Sequence, residues 1–340
     1  MEKAPINMIA AANNTVYHPG QEKGHYESFF LRANHPQKPL AFWIRYTIFS
    51  PQGHPGKAIG ELWAVYFDGE NRVNTAVKKE VPFNQCSFNS SSLDNKIGDA
   101  VLKVDKLSGS ASANNHEVAW DLEYSGTEKP LFLLPLKMYP ASFPRAKSCV
   151  PLPLAKYDGT LKVDGKEIKI EDWVGSQNHN WGSQHTDLYA WGQVAGFDQS
   201  PDSFLEVATA RVKLGPVWTP RMTTLVLRHR GREYALNSLT QMLYAYGQFN
   251  YFNWQFGSVN EEIGISGRIW ADRDRFAGLN YRNPPGGNKY CLNTKLAACH
   301  LKISFKPGGN GGYSEFLATD HRAAFEILTD NNDHGITIQV

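Results

Sequence analysis

The chain has 340 residues, 41% of them hydrophobic, and a formal net charge of +2, so it can bury a large core and lacks the basic surface that nucleic acid binding needs. No apolar run reaches the roughly 18 residues of a membrane span, and the N-terminus lacks the pattern of a signal peptide. We therefore expect a cytoplasmic protein whose partner is a small molecule. Neither CxxC spacing nor a zinc-ligand pattern links the four cysteines, which predicts free thiols.

Alternation of apolar and polar residues between turns predicts β-strands along most of the chain. In FWIRYTIFSP, Trp43 and Arg45 share one strand face, and in GELWAVYFDG, Glu61 and Trp63 share another. The strands are short and follow one another without the long helices of βαβ units, which favours an antiparallel architecture. A closed barrel solves the problem of exposed sheet edges best, although a sandwich is also compatible with the pattern.

The second half of the chain continues this pattern. The Asp164-Gly165 pair suits the positive φ angles of a two-residue hairpin turn. Short helices are predicted only around residues 237–245 and 321–328. The glycine-rich stretch at 308–312 lacks the Lys-Ser/Thr of a phosphate-binding loop, so we predict a hairpin tip and no nucleotide cofactor.

Two domains are predicted on either side of a proline-rich connector. Six prolines between residues 130 and 153 exclude a central strand and indicate an extended, rigid segment. We place an N-terminal barrel at 1–150 and a C-terminal barrel at 151–340. A weak internal repeat relates residues 43–61 to residues 191–206, which supports two copies of one β-unit.

The stretch GSQNHNWGSQHTDLYAWGQ, residues 175–193, is too polar for an ordinary core strand and too aromatic for an ordinary loop. His179 and His185 lack a third ligand at a suitable spacing, so we predict no metal site. His179 is either a buried imidazole bonded to a carbonyl group or a proton donor at the mouth of a pocket. We expect the stretch to begin the second barrel and to form the polar end of its cavity.

Large side chains alternate along the strand at the end of that stretch. Tyr189, Trp191 and Gln193 lie on one face, which is either an ordinary core face or the wall of a ligand pocket. Aromatic faces on such a wall would stabilise a developing carbocation. Trp181 is a further candidate for the same wall.

Glutamates on apolar strand faces are the residues that point most directly to a chemical role. Glu27, Glu61 and Glu206 each share a face with large apolar side chains, and a bare buried charge is costly. A buried Glu–Arg pair that uses Arg45 is one reading. The other is a carboxylic acid with a raised pKa that protonates a substrate, for which Glu206 and Glu61 are the candidates. The imidazole of His179 is a third candidate for proton transfer.

Two stretches resemble a known group of proteins. HYESFFLRANHP near the start, and DGTLKVDGKEIKIEDWVGSQNHNWG followed by LYAWGQVAGFD, are similar to the fused-lipocalin superfamily. This superfamily includes the AttH-like proteins, the carotenoid 1,2-hydratases (hydroxyneurosporene synthases) and the tocopherol cyclases. The resemblance implies two tandem lipocalin-like barrels, pockets for long apolar molecules, and no metal or nucleotide. Asn178 stands where we expect an acidic residue in that superfamily, so the chain departs from the pattern there.

Three functions follow as hypotheses. The first is an enzyme that hydrates, cyclises or isomerises an isoprenoid, polyene or polyketide-like substrate by proton transfer in an apolar chamber enclosed by inward side chains. The second is a protein that binds a hydrophobic ligand without chemistry, and the third is a carbohydrate-active β-sandwich. The candidate substrate-binding residues are Trp181, Tyr189, Trp191, Gln193, Glu27, Arg45 and Trp63.

Overall fold

Antiparallel strands joined by short turns form most of the protein, whose computed structural model describes residues 11–306 and 312–340. The predicted hairpin tip at 308–312 lies, apart from its last residue, outside the described residues. The strands are β1 (His25–Asn34), β2 (Leu40–Ser50), β3 (Ile59–Asp68), β4 (Val73–Pro82), β5 (Cys86–Ser87), β6 (Asp94–Ile97), β7 (Ala100–Lys103), β8 (Lys106–Ala113), β9 (His116–Ser125), β10 (Leu131–Phe132), β11 (Ala146–Val163), β12 (Lys166–Gly182), β13 (Leu188–Ala195), β14 (Phe204–Arg211), β15 (Lys213–Leu214), β16 (Val217–Trp218), β17 (Met222–His229), β18 (Arg232–Leu236), β19 (Tyr246–Phe249), β20 (Asn253–Val259), β21 (Ile263–Trp270), β22 (Ala277–Arg282), β23 (Asn288–Phe305) and β24 (Tyr313–Thr329).

The first twelve strands form one antiparallel sheet in the order β4-β3-β2-β1-β12-β11-β9-β8-β7-β6-β5, with β10 beside β11. The sheet curls until β4 packs against β8 and β9, which nearly closes a barrel. The hairpin between β11 and β12 turns at Asp164 and Gly165, whose φ angles of 49° and 84° confirm the predicted turn.

Most of the remaining strands form the second barrel. Its sheet runs in the order β18-β17-β14-β13-β24-β23-β21-β20-β19, with β22 beside β23, and β17 packs against β19 and β20 to close it. β15 and β16 form a separate two-stranded hairpin. The predicted all-β fold with two tandem antiparallel barrels is therefore confirmed.

The chain passes from one sheet to the other between Gly182 and Leu188. β11 and β12 pair with β9 and β1, so residues 151–182, which we assigned to the second barrel, are strands of the first sheet. The stretch 175–193 thus ends the first barrel and begins the second.

Helices are few and short. The predicted helix near 237–245 is present as α1 (Leu239–Tyr244), where Ser238 and Gln241 form a reciprocal capping box. Short 3₁₀ turns occupy Pro55–Lys57, Phe83–Gln85, Leu136–Met138 and Arg273–Arg275. No helix in the described part of the chain has the length and apolar character needed to cross a membrane.

The helix predicted at 321–328 is wrong, because those residues lie within β24. Ala323, Phe325 and Ile327 enter the core of the second barrel, whereas Glu326 and Leu328 face the other way and are also buried. A strand buried on both faces loses the alternation by which strands are recognised.

Each barrel interior is a packed apolar core. In the first barrel, side chains such as Phe29, Phe42 and Tyr46 point inward, and in the second, Val207 and Phe325 do so. The opposite faces of β2 and β3 pack against β22, β23 and β24 of the second barrel. This interface, rather than either barrel interior, positions the candidate site.

Candidate functional site

A cavity of about 210 Å³ lies between the two barrels. We expected an apolar chamber enclosed by inward-facing side chains, but the cavity is lined by side chains on the outer faces of both sheets. The connector and α1 cover its remaining sides. Its main lining residues are Tyr26, Phe30, Trp43, Arg45, Leu133, Leu134, Met138, Asn178, Asn180, His185, Tyr189, Trp191, Glu206, Met222, Met242, Tyr281 and Glu326.

Glu206 is the cavity carboxyl whose pKa is raised by its surroundings. It is 2% exposed, and its two oxygens accept hydrogen bonds from Trp191 Nε1 at 2.8 Å and Gln193 Nε2 at 2.6 Å. Burial raises the pKa of Glu206 to about 7, against the opposing effect of those two bonds and of the Arg32 charge. At neutral pH both the acid and the carboxylate are therefore populated, as a proton-transferring group requires.

Gln193 lies beneath this carboxyl rather than in the cavity wall. It faces Glu206 directly across the β13–β14 ladder, so both side chains share one face. Its Oε1 accepts from Arg32 Nε at 2.8 Å and Ser176 Oγ at 2.6 Å, while its Nε2 also donates to Asn178 Oδ1 at 2.8 Å. These bonds fix which end of the Gln193 amide meets Glu206.

A second carboxyl, Glu326, reaches the cavity from β24, where it lies opposite Trp191. Its Oε1 accepts from Lys295 Nζ at 2.8 Å and Asn293 Nδ2 at 3.0 Å. Burial lowers the pKa of Lys295, and the negative charge of Glu326 opposes that change. The charge of Glu326 also contributes to the raised pKa of Glu206. Our sequence reasoning missed Glu326 because it assigned this segment to a helix.

His185 is a further cavity residue to which the sequence assigned no role. Its ring stacks on Tyr26 at a centroid distance of 4.0 Å. Burial, together with the positive charge of Arg45, lowers the pKa of His185 to about 3. The imidazole is therefore neutral at physiological pH and offers the cavity a hydrogen-bonding group without charge.

Glu27 and His179 do not face the cavity. His179 Nε2 lies 2.8 Å from Glu27 Oε1, and His179 Nδ1 lies 2.8 Å from the carbonyl oxygen of Ala12. Glu27 also accepts bonds from the Val16 and Tyr17 backbone N–H groups and lies 3.0 Å from His25 Nε2. The arrangement attaches residues 12–17 to the barrel. The surroundings of His179 therefore match the first hypothesis, that of a buried imidazole bonded to a carbonyl group.

Glu61 and Trp63 face the second barrel but lie outside the cavity lining. Glu61 forms ion pairs with Lys78 at 3.0 Å and Arg282 at 2.7 Å. Burial alone would raise the pKa of Glu61, but these two cations outweigh it and lower the pKa. Trp63 packs edge-on against Tyr281 with ring centroids 5.6 Å apart. Glu61 therefore lacks the raised pKa we expected of a proton donor.

Of the other predicted binding residues, Tyr189, Trp191 and Arg45 lie in the cavity wall. The predicted Glu–Arg pair is absent within the described residues, where Arg45 bonds to the Ser28 hydroxyl instead. Trp181 packs against Tyr139 beneath the connector, outside the wall. The structure thus brings together four of the predicted side chains, counting Glu206, at one cavity.

Metal-binding groups are absent from the described ranges, 11–306 and 312–340, where no three His, Cys, Asp or Glu side chains could hold an ion together. All four cysteines are free thiols.

The fold and the position of this cavity define a protein with two fused lipocalin-like barrels. The structure is similar to that of the AttH-like protein NE1406 of Nitrosomonas europaea, with a TM-score of 0.54 and 12% identity over 90% of this chain and 92% of that one. It is similar to kievitone hydratase of Nectria haematococca, with a TM-score of 0.53 and 12% identity over 94% of each chain. The chain therefore shares its two-barrel fold with these two proteins.

Sequence comparison adds a more limited relationship. The uncharacterized protein Rv0493c of Mycobacterium tuberculosis is 26% identical over 212 residues, which is 62% of this chain and 61% of that protein. The chain thus spans about three fifths of the length of the curated relatives that it matches. No family model matches the chain.

Proposed function

We propose that the protein is an enzyme that adds water to a carbon–carbon double bond of an apolar small molecule held between the barrels. The observation that carries this proposal is the Glu206 carboxyl, which is buried in the cavity wall and has a pKa raised to about 7. A carboxylic acid that remains partly protonated at neutral pH is suited to protonate an alkene. The fold shared with kievitone hydratase supports hydration as the first reaction to test.

The proposed reaction has two steps. The Glu206 acid transfers its proton to one alkene carbon, the π electrons form the new C–H bond, and the other carbon becomes cationic. The faces of aromatic rings such as Trp43 and Tyr189 stabilise that cation. A water oxygen then bonds to the cationic carbon, and the proton that water loses passes to Glu326. Proton exchange with solvent then returns Glu326 to the carboxylate and Glu206 to the acid.

Glu326 is the proposed base that assists the water. It lies in the same cavity, where its Oε1 accepts a hydrogen bond from Lys295 Nζ at 2.8 Å. Two carboxyls with different partners at one site are a recurring arrangement for acid and base roles. If the cation instead lost a proton or met a second double bond, the same first step would give isomerisation or cyclisation.

The test is turnover in water enriched in ¹⁸O, followed by mass spectrometry of the product. Kievitone and a set of prenylated or polyene hydrocarbons serve as substrates, and incorporation of one labelled oxygen reports hydration. Glu206→Gln should reduce turnover by about 10²–10⁴-fold, because the amide carries no transferable acid proton. Glu61→Gln is the matched control, since that carboxyl lies outside the cavity, and turnover per folded protein should be unchanged.

Two results would contradict this proposal. Undiminished turnover by Glu206→Gln would remove Glu206 from the mechanism. Ligands that bind with micromolar affinity and are recovered unchanged and unlabelled would favour the alternative of a binding protein without chemistry.

A further inference from the structure

We propose that the ligand of the inter-barrel cavity is an amphipathic acid, with an apolar unsaturated body and a carboxylate group that binds to Arg45. This inference deepens the proposed function by naming the substrate class. It uses the same cavity but depends on a different residue, so the two can fail separately.

Arg45 is a buried guanidinium in the cavity wall. It is 4% exposed, and both its Nε and Nη2 donate to one acceptor, the Ser28 hydroxyl, at 2.8 and 2.5 Å. The group lies over the Tyr281 ring at 4.5 Å from its centroid, and the Trp43 ring is 5.9 Å away. Contact with the Tyr281 ring helps to hold the guanidinium in place, and a single hydroxyl uses only two of its five N–H donors.

The positive charge of Arg45 has no ion-pair partner among residues 11–306 and 312–340. The nearby carboxylates Glu61 and Glu326 both act on Arg45 through space, yet each is bonded to other cations. Glu61 pairs with Lys78 and Arg282, and Glu326 pairs with Lys295. Burial would lower the pKa of Arg45, but the neighbouring groups, Glu61 and Glu326 among them, outweigh that effect and raise the pKa. The guanidinium therefore stays charged at the cavity while its unused donors contact no carboxylate of the described residues.

Arg32 provides an internal comparison. This second buried arginine also lies between the barrels, but its Nε, Nη1 and Nη2 donate to Gln193 Oε1, Asn34 Oδ1 and the Gln193 carbonyl oxygen. Its donors are directed into protein acceptors, and it does not line the cavity. Arg45 therefore differs from a structural arginine of the same interface in both its position and its unused donors.

The surroundings of Arg45 indicate a carboxylate. A guanidinium binds a planar carboxylate through two parallel hydrogen bonds, and the neighbouring Tyr281 and Trp43 rings reduce its contact with water. A dianionic phosphate fits less well, because Glu326 shares the cavity and would repel the second negative charge. The predominantly apolar and aromatic wall beyond Arg45 fits an unsaturated hydrocarbon body.

The experiment compares geranate with geraniol, two isoprenoid probes that differ in the carboxylate. Thermal unfolding of the full chain is measured without ligand and with each probe, and Kd is obtained from quenching of tryptophan fluorescence, since Trp43 and Trp191 line the cavity. The variants are Arg45→Gln and, as a control, Arg268→Gln. Arg268 lies over the Trp270 ring at 4.6 Å but is exposed and remote from the cavity lining.

We expect the wild type to bind geranate at least about tenfold more tightly than geraniol, and Arg45→Gln to bind the two probes equally. The control variant should keep the wild-type preference. Without ligand, Arg45→Gln should melt within about 5 °C of the wild type, because the substitution breaks no ion-pair contact.

Three results would overturn the inference: equal affinity of the wild type for both probes, no binding of either probe, or a fall of more than about 5 °C in the melting temperature of unliganded Arg45→Gln. The last result would make Arg45 a structural residue. Binding of geranate through Arg45 without turnover of any alkene would sustain this inference while contradicting the proposed hydratase activity.

Discussion

Glu27 and Glu206 are both buried carboxyls on β-strands next to aromatic side chains, yet their surroundings give them opposite chemistry. Glu27 is fully buried, and although burial alone would raise its pKa, hydrogen bonds from His179 and His25 outweigh that effect and lower the pKa to about 2. Glu206 has only the uncharged donors Trp191 and Gln193, and burial dominates, so its pKa rises to about 7. Partners, rather than depth of burial, separate the two.

The difference also follows the architecture. Glu27 attaches the segment before β1 to the first barrel, and its oxygens are occupied by protein donors. Glu206 lies on the outer face of the second barrel beside the cavity, and its direct donors are the uncharged Trp191 and Gln193. A buried carboxyl beside open space and neutral donors is the one suited to exchange a proton with a ligand.

Replacing Glu27 tests whether that carboxyl has a structural role, and it has the largest expected effect on stability. Glu27→Gln should lower the free energy of unfolding by about 3–5 kcal/mol, because it removes one partner of a buried charged network and places an amide NH₂ against backbone donors. Urea denaturation followed by circular dichroism measures the loss. Glu206→Gln, whose carboxyl has only two neutral donors, should lose less, and equal losses would contradict the distinction.

The same network predicts a pH dependence of stability. The pKa of Glu27 is depressed in the folded protein, so its contribution is present above its usual pKa of 4.5 and is lost as pH falls through about 2. In Glu27→Gln, the decline in stability below pH 4.5 should therefore be shallower than in the wild type.

The proposed role of Glu206 as an acid predicts how the reaction rate depends on pH. If Glu206 acts as the acid, kcat/KM should be level below about pH 7 and fall about tenfold for each pH unit above it, because only the protonated carboxyl donates. Steady-state kinetics between pH 5 and 9 measure the profile, within a range set by control measurements of folding. A rate that rises through pH 7 would instead assign Glu206 the role of a base.

The sequence predicted which residues share a face better than where that face points. Alternation correctly placed Trp43 with Arg45 and Glu61 with Trp63. It could not show that this face lies outside the first barrel, because β2 is buried on both sides, once by the barrel core and once by the second barrel. A period of two identifies faces but does not tell which one encloses the interior.

The partners that determine each pKa were harder to predict, because they come from distant parts of the chain. Glu27 meets His179, and Arg32 meets Gln193, through pairings that only the closed fold creates. Glu206 could be selected because no basic residue alternates with it on its own strand. Glu326 could not, since HRAAFEIL reads equally well as a helix when both strand faces are buried.

The substitution with the smallest expected effect alters the pKa of Glu206 and leaves the carboxyl in place. Trp191→Phe removes the indole N–H that donates to Glu206 Oε1 at 2.8 Å while keeping an aromatic ring in the wall. A hydrogen bond to an ionised group stabilises that form by roughly 1.5–3 kcal/mol, so its loss should raise the pKa of Glu206 further. The fall in kcat/KM should move about one pH unit higher.

Trp181→Phe is the matched control, because that indole packs beneath the connector and does not bond to Glu206. Its pH profile should coincide with that of the wild type. If Trp191→Phe left the profile unmoved or shifted it downward, the neutral donors would not be what holds the Glu206 carboxyl near neutrality. The contrast with Glu27 would then rest on the His179 and His25 bonds of Glu27 alone. Because a pH profile that reports Glu206 must respond to the loss of a hydrogen bond to that carboxyl, such a result would contradict the assignment of Glu206 as the acid.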